Sequence, residues 1–202
     1  MNKKQFIISL IFLFITFSSF GQRSRIDISK NCWNITLDKK AKWQDDILFL
    51  PPVKIENIPI NEPTGGWTLL EKPQKKDVHL PATIEGKMWG ENGSTYGVTG
   101  NYVGVSWFST KTNIPATWTG KRIFIHFESI RFRAEIFINR KMAGYDLVNS
   151  TPFDVDITKF IIPGAENTVD IRITDPNGNF NWKDSQCYHW GKYLVNPSHG
   201  FG

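Results

Sequence analysis

The fold is decided by a stretch in the middle of the chain that reads Ile123-Phe124-Ile125-His126-Phe127-Glu128 and resumes as Ala134-Glu135-Ile136-Phe137-Ile138. Apolar residues occupy every second position, so each segment presents one apolar side. Two later segments, Phe153–Ile157 and Val169–Ile173, alternate in the same way. Because successive side chains of a strand point to opposite faces, this pattern predicts half-buried strands of an antiparallel sheet.

The connections between these segments carry the residues that turns require, among them Pro115, Gly120, Asn139 and Pro163-Gly164. Short strands with turn residues at this spacing predict an all-β sandwich or barrel and exclude a βαβ fold. The sequence predicts no helix beyond a short turn within residues 82–89. The N-terminal third is less regular, with candidate strands at Asn34–Leu37 and Ile47–Leu50.

The N-terminus has the organisation of a secretory signal peptide. Lys3 and Lys4 precede an apolar run from Phe6 to Phe17, and small residues follow up to Gly21. The run is shorter than the roughly 20 residues that a membrane-spanning helix needs. We therefore expect cleavage after Gly21, release into the periplasm or medium, and no membrane association afterwards. An uncleaved interfacial anchor is the alternative.

The basic charge gives little support for a nucleic-acid partner. Removing residues 1–21 would delete Lys3 and Lys4 and no acidic residue, so the formal net charge would fall from +5 to +3. The remaining basic residues are scattered in short groups such as Lys39-Lys40 and Lys75-Lys76. They form no run of five or six like charges. We expect no nucleic-acid binding.

Two cysteines, Cys32 and Cys187, lie at opposite ends of the mature chain. An oxidising compartment permits a disulfide between them, and two buried free thiols are the alternative. Neither cysteine has the spacing of a metal site, so no zinc is expected.

The order of motifs between residues 98 and 175 resembles the N-terminal sugar-binding domain of glycoside hydrolase family 2, which includes β-galactosidases, β-glucuronidases and β-mannosidases. The resemblance extends over about residues 30–202. The stretches that carry it are Tyr102–Phe108, Gly120–Arg122, Phe124–Ile130, Phe137–Asn139, Ala143–Tyr145, Thr151–Ile157 and Gly164–Asn167. At the hairpin, where the family usually has Asn-Gly, this chain has Asn139-Arg140, which weakens the turn signal.

This resemblance implies a galactose-binding-like jelly-roll sandwich, occupying residues 22–202 after the signal peptide at 1–21. In the family, an immunoglobulin-like domain and a (β/α)8 barrel follow, and the barrel holds both catalytic glutamates. A retaining glycosidase needs two carboxylates about 5–5.5 Å apart. We therefore expect this chain to be a fragment without catalytic residues, inactive alone, with a β-linked glycan or galactoside and the downstream domains as its partners.

The resemblance also suggests which residues contact sugar. Aromatic faces stack on sugar C–H surfaces, and carboxylates accept hydrogen bonds from hydroxyls. The densest such constellation runs from Asp175 to Trp190. Within it, Asp184 is the preferred carboxylate, Trp182 and Trp190 are the preferred aromatic residues, and His199 is a weaker candidate. The alternative is that the two tryptophans cover a sandwich edge and that the polar run is a surface loop.

The same stretch contains a partial calcium-loop pattern, Asp175-x-Asn177-x-Asn179. Phe180 replaces the glycine of such a loop and Gln186 replaces its closing glutamate. We expect no cofactor, and the sequence leaves open whether a structural calcium ion binds.

Three functions are compatible with these observations. The first is the accessory sugar-binding domain of a secreted β-glycosidase. The second is a stand-alone carbohydrate-binding module or lectin-like adhesion domain. The third is an interaction domain without sugar affinity.

Overall fold

A computed structural model describes residues 23–50, 52–88, 102–148 and 150–176, together with the backbone at 180–182, 187–190 and 200–201. The strands are β1 (Trp33–Asp38), β2 (Leu48–Phe49), β3 (Lys75–Val78), β4 (Ala82–Thr83), β5 (Gly104–Asn113), β6 (Phe124–Phe127), β7 (Ile130–Arg131), β8 (Arg133–Ile138), β9 (Lys141–Asp146), β10 (Phe153–Asp156), β11 (Glu166–Asp175), β12 (Phe180–Trp182), β13 (Cys187–Trp190) and β14 (Gly200–Phe201). Short helical elements are α1 (Ile84–Met88) and the 3-10 turns Ile55–Asn57, Trp67–Glu71 and Ala116–Trp118.

A six-stranded sheet in the order β3-β1-β5-β11-β8-β9, here called the main sheet, organises the molecule. Every pairing within it is antiparallel. Its centre is the β5–β11 pair, whose register runs from Asn113 opposite Glu166 to Gly104 opposite Asp175. The smaller sheets are β10-β6, β12-β13-β2 and β4-β14-β7. The predicted all-β antiparallel jelly-roll sandwich is confirmed.

The first face of the main sheet forms an apolar core with the β6–β10 pair. Ile136 and Ile171 from the main sheet belong to the same buried cluster as Ile125 and Val155. The outer sides of β6 and β10 are exposed, as alternation predicts, and Asp154 and Asp156 lie on that solvent face.

The second face is covered by the irregular N-terminal third, here called the cover layer (residues 41–71). Its Leu48 and Ile58 join Trp107, Phe137, Met142 and Tyr145 of the main sheet in a second buried cluster. Trp67 packs edge-on against Trp107 and Phe137, with ring centroids 5.8 and 5.3 Å apart. Consequently β8 is buried at every position, and nearly all of β11 is buried, rather than half-buried as alternation predicted.

The β8–β9 hairpin forms its turn although the usual glycine is missing. Asn139 and Arg140 have φ angles of 51° and 64°, so both adopt the left-handed conformation of a tight hairpin turn. The Asn139 amide donates to the Phe160 carbonyl and to Asn167 Oδ1 at 2.9 and 2.8 Å, and its own oxygen accepts from the Thr168 amide. These hydrogen bonds stabilise the turn in the absence of the usual glycine and attach it to the start of β11.

Helix α1 lies within the short helical turn predicted for residues 82–89. Within the described ranges, no helix has the length and apolar character needed to cross a membrane. The predicted signal peptide, residues 1–21, lies outside the described residues, so its cleavage after Gly21 and the domain boundary there stay predictions.

Candidate functional site

Buried charged side chains lie at one end of the main sheet. From this end the chain continues to the predicted sugar-contact residues. The register places Asp175 opposite Gly104, Asp38 opposite Val105, and Arg133 opposite Thr174. The strand ends therefore lie side by side, and Asp38, Arg133 and Asp175 are all buried. Asp175 closes β11, so β12 begins only a few residues beyond this charged end.

Glu135 is the centre of the buried charges. It is fully buried on β8 between Arg133 and Arg172. Its Oε2 accepts a hydrogen bond from Arg172 and lies 3.4 Å from Arg133, while Asn61 donates to its Oε1 at 2.7 Å. Burial alone would raise the pKa of Glu135, but the two guanidinium groups outweigh it and hold the pKa low. Glu135 is therefore an ionised carboxylate inside the fold.

The cover layer is fastened to this cluster by polar contacts. Asp46 pairs with the buried guanidinium of Arg133, and the Thr64 amide donates to Asp38 Oδ2 at 2.8 Å. Between the two layers remains a polar cleft of about 30 Å³, with Asn61 and Tyr145 in its walls. This volume has room for water molecules.

A two-residue strand connects the cover layer to the predicted sugar-contact region. Leu48 of β2 is fully buried in the second cluster. The Phe49 amide donates to the Tyr145 hydroxyl at 3.1 Å. Burial raises the pKa of Tyr145, so its phenol stays neutral. On the other edge of β2, Phe49 lies opposite Cys187 and Leu48 opposite Tyr188.

Two of the predicted sugar-contact residues are brought together on the β12–β13 pair, here called the aromatic ladder. Trp182 lies opposite Tyr188, and Phe180 lies opposite Trp190. Directly opposed residues of an antiparallel pair share a side, and so do positions two apart. The register therefore places four aromatic positions, at 180, 182, 188 and 190, on one side of the ladder. The side chains of these strands are outside the described residues.

The other two predicted contacts cannot be placed. Asp184 lies in the connection between β12 and β13, outside the described residues. His199 also lies outside them and directly precedes Gly200 of β14, which pairs with Thr83 and Arg131. The roles of all four residues stay predictions.

The cysteine and calcium expectations are likewise untested. Cys32 is exposed and its thiol lies beside Asp77. The side chain of Cys187 is outside the described part, so their pairing stays a prediction. Among the described residues, no three His, Cys, Asp or Glu side chains are grouped to hold a metal ion. Asn177 and Asn179 of the calcium-like pattern fall outside that part.

Sequence reasoning missed the buried polar residues under the cover layer, namely Arg133, Glu135, Tyr145 and Arg172. Alternation alone assigns Glu135 and Arg172 to a solvent face. Trp107 and Phe137 lie on that same face and could have indicated that it is buried. A strand with large apolar residues on both sides is covered on both faces.

The sequence matches the family model described as glycosyl hydrolases family 2, sugar binding domain, over residues 72–190. A β-glucuronidase from Formosa agariphila is 28% identical over 97 residues, which are 48% of this chain and 10% of that protein. A β-galactosidase from Thermoanaerobacter pseudethanolicus is 31% identical over 74 residues, which are 36% of this chain and 10% of that protein.

Solved structures agree on the fold. The apo β-glucuronidase from Ruminococcus gnavus aligns with a TM-score of 0.51 and 17% identity, covering 85% of this chain and 26% of that one. The same enzyme in complex with D-glucaro-d-lactam aligns with a TM-score of 0.53, covering 85% of this chain and 27% of that one. This chain thus spans about a quarter of that solved chain and about a tenth of the curated relatives.

Proposed function

The chain belongs to the sugar binding domain family of glycosyl hydrolases family 2, and we propose that it serves as the non-catalytic sugar-binding domain of a secreted β-glycosidase. One observation carries this proposal. The family match ends at Trp190, the last residue of β13, so the matched stretch includes both strands of the aromatic ladder.

The ladder supports a direct role in sugar contact. Its register gathers four aromatic positions on one side, and aromatic faces stack on the C–H surfaces of sugars. In this proposal Trp182 and Trp190 supply the faces. Asp184, in the connection between the two strands, accepts hydrogen bonds from hydroxyl groups, and His199 is a further contact.

Hydrolysis itself is assigned to another part of a longer enzyme. The curated relatives are a β-glucuronidase and a β-galactosidase, and this chain spans about a tenth of each. We therefore propose a β-glucuronide or β-galactoside as the sugar class and further domains of such an enzyme as partners. Because much of the sugar pocket would then be contributed by those domains, the chain alone should bind monosaccharides weakly.

Saturation-transfer NMR on the purified chain tests this proposal with methyl β-D-galactopyranoside and D-glucuronic acid. We expect dissociation constants on the order of millimolar, and loss of the transfer signal in Trp182→Ala. Phe124→Ala is the matched control, because Phe124 is an exposed aromatic residue on β6, in the small β6–β10 sheet rather than the ladder's sheet.

Two outcomes would contradict the proposal. Micromolar binding by the chain alone would indicate a self-contained carbohydrate-binding module. A complete absence of transfer from both sugars, with the fold intact, would indicate an interaction domain without sugar affinity.

A further inference from the structure

We infer that Tyr145 and Arg133 are positioning residues for the aromatic ladder, acting through β2. Neither residue belongs to the predicted sugar contacts. Both lie on the main sheet, and each holds the short segment on which the ladder is built. This inference rests on the proposed function only where it concerns sugar binding; the placement of the ladder can be tested separately.

The ladder depends on β2 for its attachment. In the described backbone, β12 pairs with β13 and β13 pairs with β2, which forms a sheet separate from the main sheet. An isolated two-stranded hairpin is marginally stable in water. In the described backbone, the pairing that attaches the ladder to the rest of the molecule runs through Leu48 and Phe49.

The first fixing contact is the hydroxyl of Tyr145. It accepts a hydrogen bond from the Phe49 amide at 3.1 Å, and Phe49 is also the residue that lies opposite Cys187. One residue is thus bonded to the main sheet and paired with the ladder. Tyr145 itself is buried among Phe137, Met142 and Leu147, so its hydroxyl is presented from a rigid position.

The second fixing contact is the Asp46–Arg133 ion pair, two residues before β2. Arg133 is 2% exposed and is held by Glu135 at 3.4 Å and by the Thr174 hydroxyl at 3.3 Å. Asp46 remains 21% exposed at the rim of the cleft. The Asp46–Arg133 ion pair therefore links the buried charge cluster to the segment that leads into β2.

Local hydrogen exchange distinguishes positioning from general stability. In Tyr145→Phe the Phe49 amide loses its acceptor, while the apolar packing of the ring is kept. We expect the amides of β2 and β13 to exchange about fivefold to tenfold faster, which corresponds to one lost hydrogen bond. Amides of β5 and β11 should be unchanged. Equal exchange of β2 and β13 in variant and wild type, or a uniform increase across the main sheet, would overturn the inference.

Tyr102→Phe is the matched control. Tyr102 is also buried, and its hydroxyl donates to the Val105 carbonyl at 2.9 Å within the main sheet rather than to β2. It should leave the exchange of β13 unchanged. Asp46→Asn is the second variant, since it weakens the other fixing contact at a partly exposed position and keeps the assay usable if Tyr145→Phe does not fold.

Titration of the same variants with methyl β-D-galactopyranoside and D-glucuronic acid completes the test. Faster exchange of β13 together with a weaker transfer signal supports the inference. Faster exchange with unchanged sugar binding overturns the link between ladder position and binding. If wild type shows no sugar signal while β13 exchanges faster in Tyr145→Phe, the placement of the ladder is supported and the proposed function fails.

Discussion

The two faces of the main sheet are both buried but differ in chemistry. On β11, Val169, Ile171 and Ile173 point into the apolar core shared with β6 and β10. The intervening Asp170, Arg172 and Thr174 are buried just as deeply under the cover layer. Adjacent residues of one strand therefore face an apolar interior on one side and, on the other, an interior in which buried charges lie beside a second apolar cluster.

This difference determines how each face tolerates change. An apolar core loses stability in proportion to the contacts and volume that a substitution removes. A buried ionic cluster responds to imbalance, because removing one member leaves the others desolvated without compensation, whereas replacing the whole group by apolar residues can be neutral or stabilising. The same sheet thus contains one face where volume is the main constraint and another where charge balance is added to it.

The largest effect is expected from Glu135→Leu, which leaves Arg133 and Arg172 facing each other without their shared carboxylate. We expect a loss of about 3–5 kcal/mol in the free energy of unfolding, measured by urea denaturation. The triple variant Arg133→Met, Glu135→Leu, Arg172→Met should recover part of this loss, because the buried charges are replaced together and only the partly exposed Asp46 loses its partner.

The control for this series is Arg122→Met. Arg122 and Asp156 form an ion pair at 2.8 Å on the solvent face, and their side chains are 74% and 42% exposed. Its removal should change stability little. If the triple variant were as unstable as Glu135→Leu alone, charge balance would not govern this face.

An intermediate effect is expected on the apolar face from Gly144→Ala. A Cβ at Gly144 would lie 2.6 Å from both Val155 methyl carbons, so β9 approaches β10 only because residue 144 has no side chain. We expect a loss of about 1–3 kcal/mol by urea denaturation. The double variant Gly144→Ala, Val155→Ala should show positive coupling, with a smaller loss than the two single variants predict together. Additive losses would mean that volume is not the limiting quantity there.

The smallest effect concerns Asp170 and depends on pH. Burial raises the pKa of Asp170 to about 6, and the Ser109 hydroxyl and the Arg140 guanidinium only partly offset this. The raised pKa means that the folded state binds the Asp170 proton more tightly than the unfolded state does. Protonated Asp170 therefore stabilises the fold at low pH, and this contribution is lost as pH rises through about 6. Asp170→Asn should therefore gain about 1–2 kcal/mol more, relative to wild type, at about pH 7.5 than at about pH 4.5. A pH-independent difference in thermal or urea stability would contradict this assignment.

Sequence reasoning recovered the strands but not what covers them. The alternation of Phe153–Asp156 and of Val169–Ile173 is the same, yet Asp154 and Asp156 are exposed and Asp170 and Arg172 are buried. The difference is one of position, since β10 belongs to the outer two-stranded sheet and β11 to the centre of the main sheet. Periodicity reports which residues share a side and carries no information about the layer packed on that side.

The sugar-contact roles of the candidate residues stay predictions, and the structure adds only the backbone placement of two of them. Trp182 and Trp190 were singled out from composition and resemblance, and the backbone register places them on neighbouring strands. The role of Tyr145 was not predicted, although Ala143–Tyr145 is one of the stretches that carry the resemblance, because a tyrosine in a strand is typical of any sheet. Its contact with Phe49 spans 96 residues of sequence, and such long-range pairing has no local signature.

The strand order has a consequence for how the chain reaches this structure. Of the pairings in the main sheet, β8 with β9 is the one between consecutive strands, while β1 with β5 and β5 with β11 join segments far apart in sequence. Pairing distant segments requires the entropy of closing long loops to be overcome first, which slows folding. Within the main sheet, we therefore expect the hairpin closed by Asn139 and Arg140 to form first and the assembly of the central strands to limit the rate of folding.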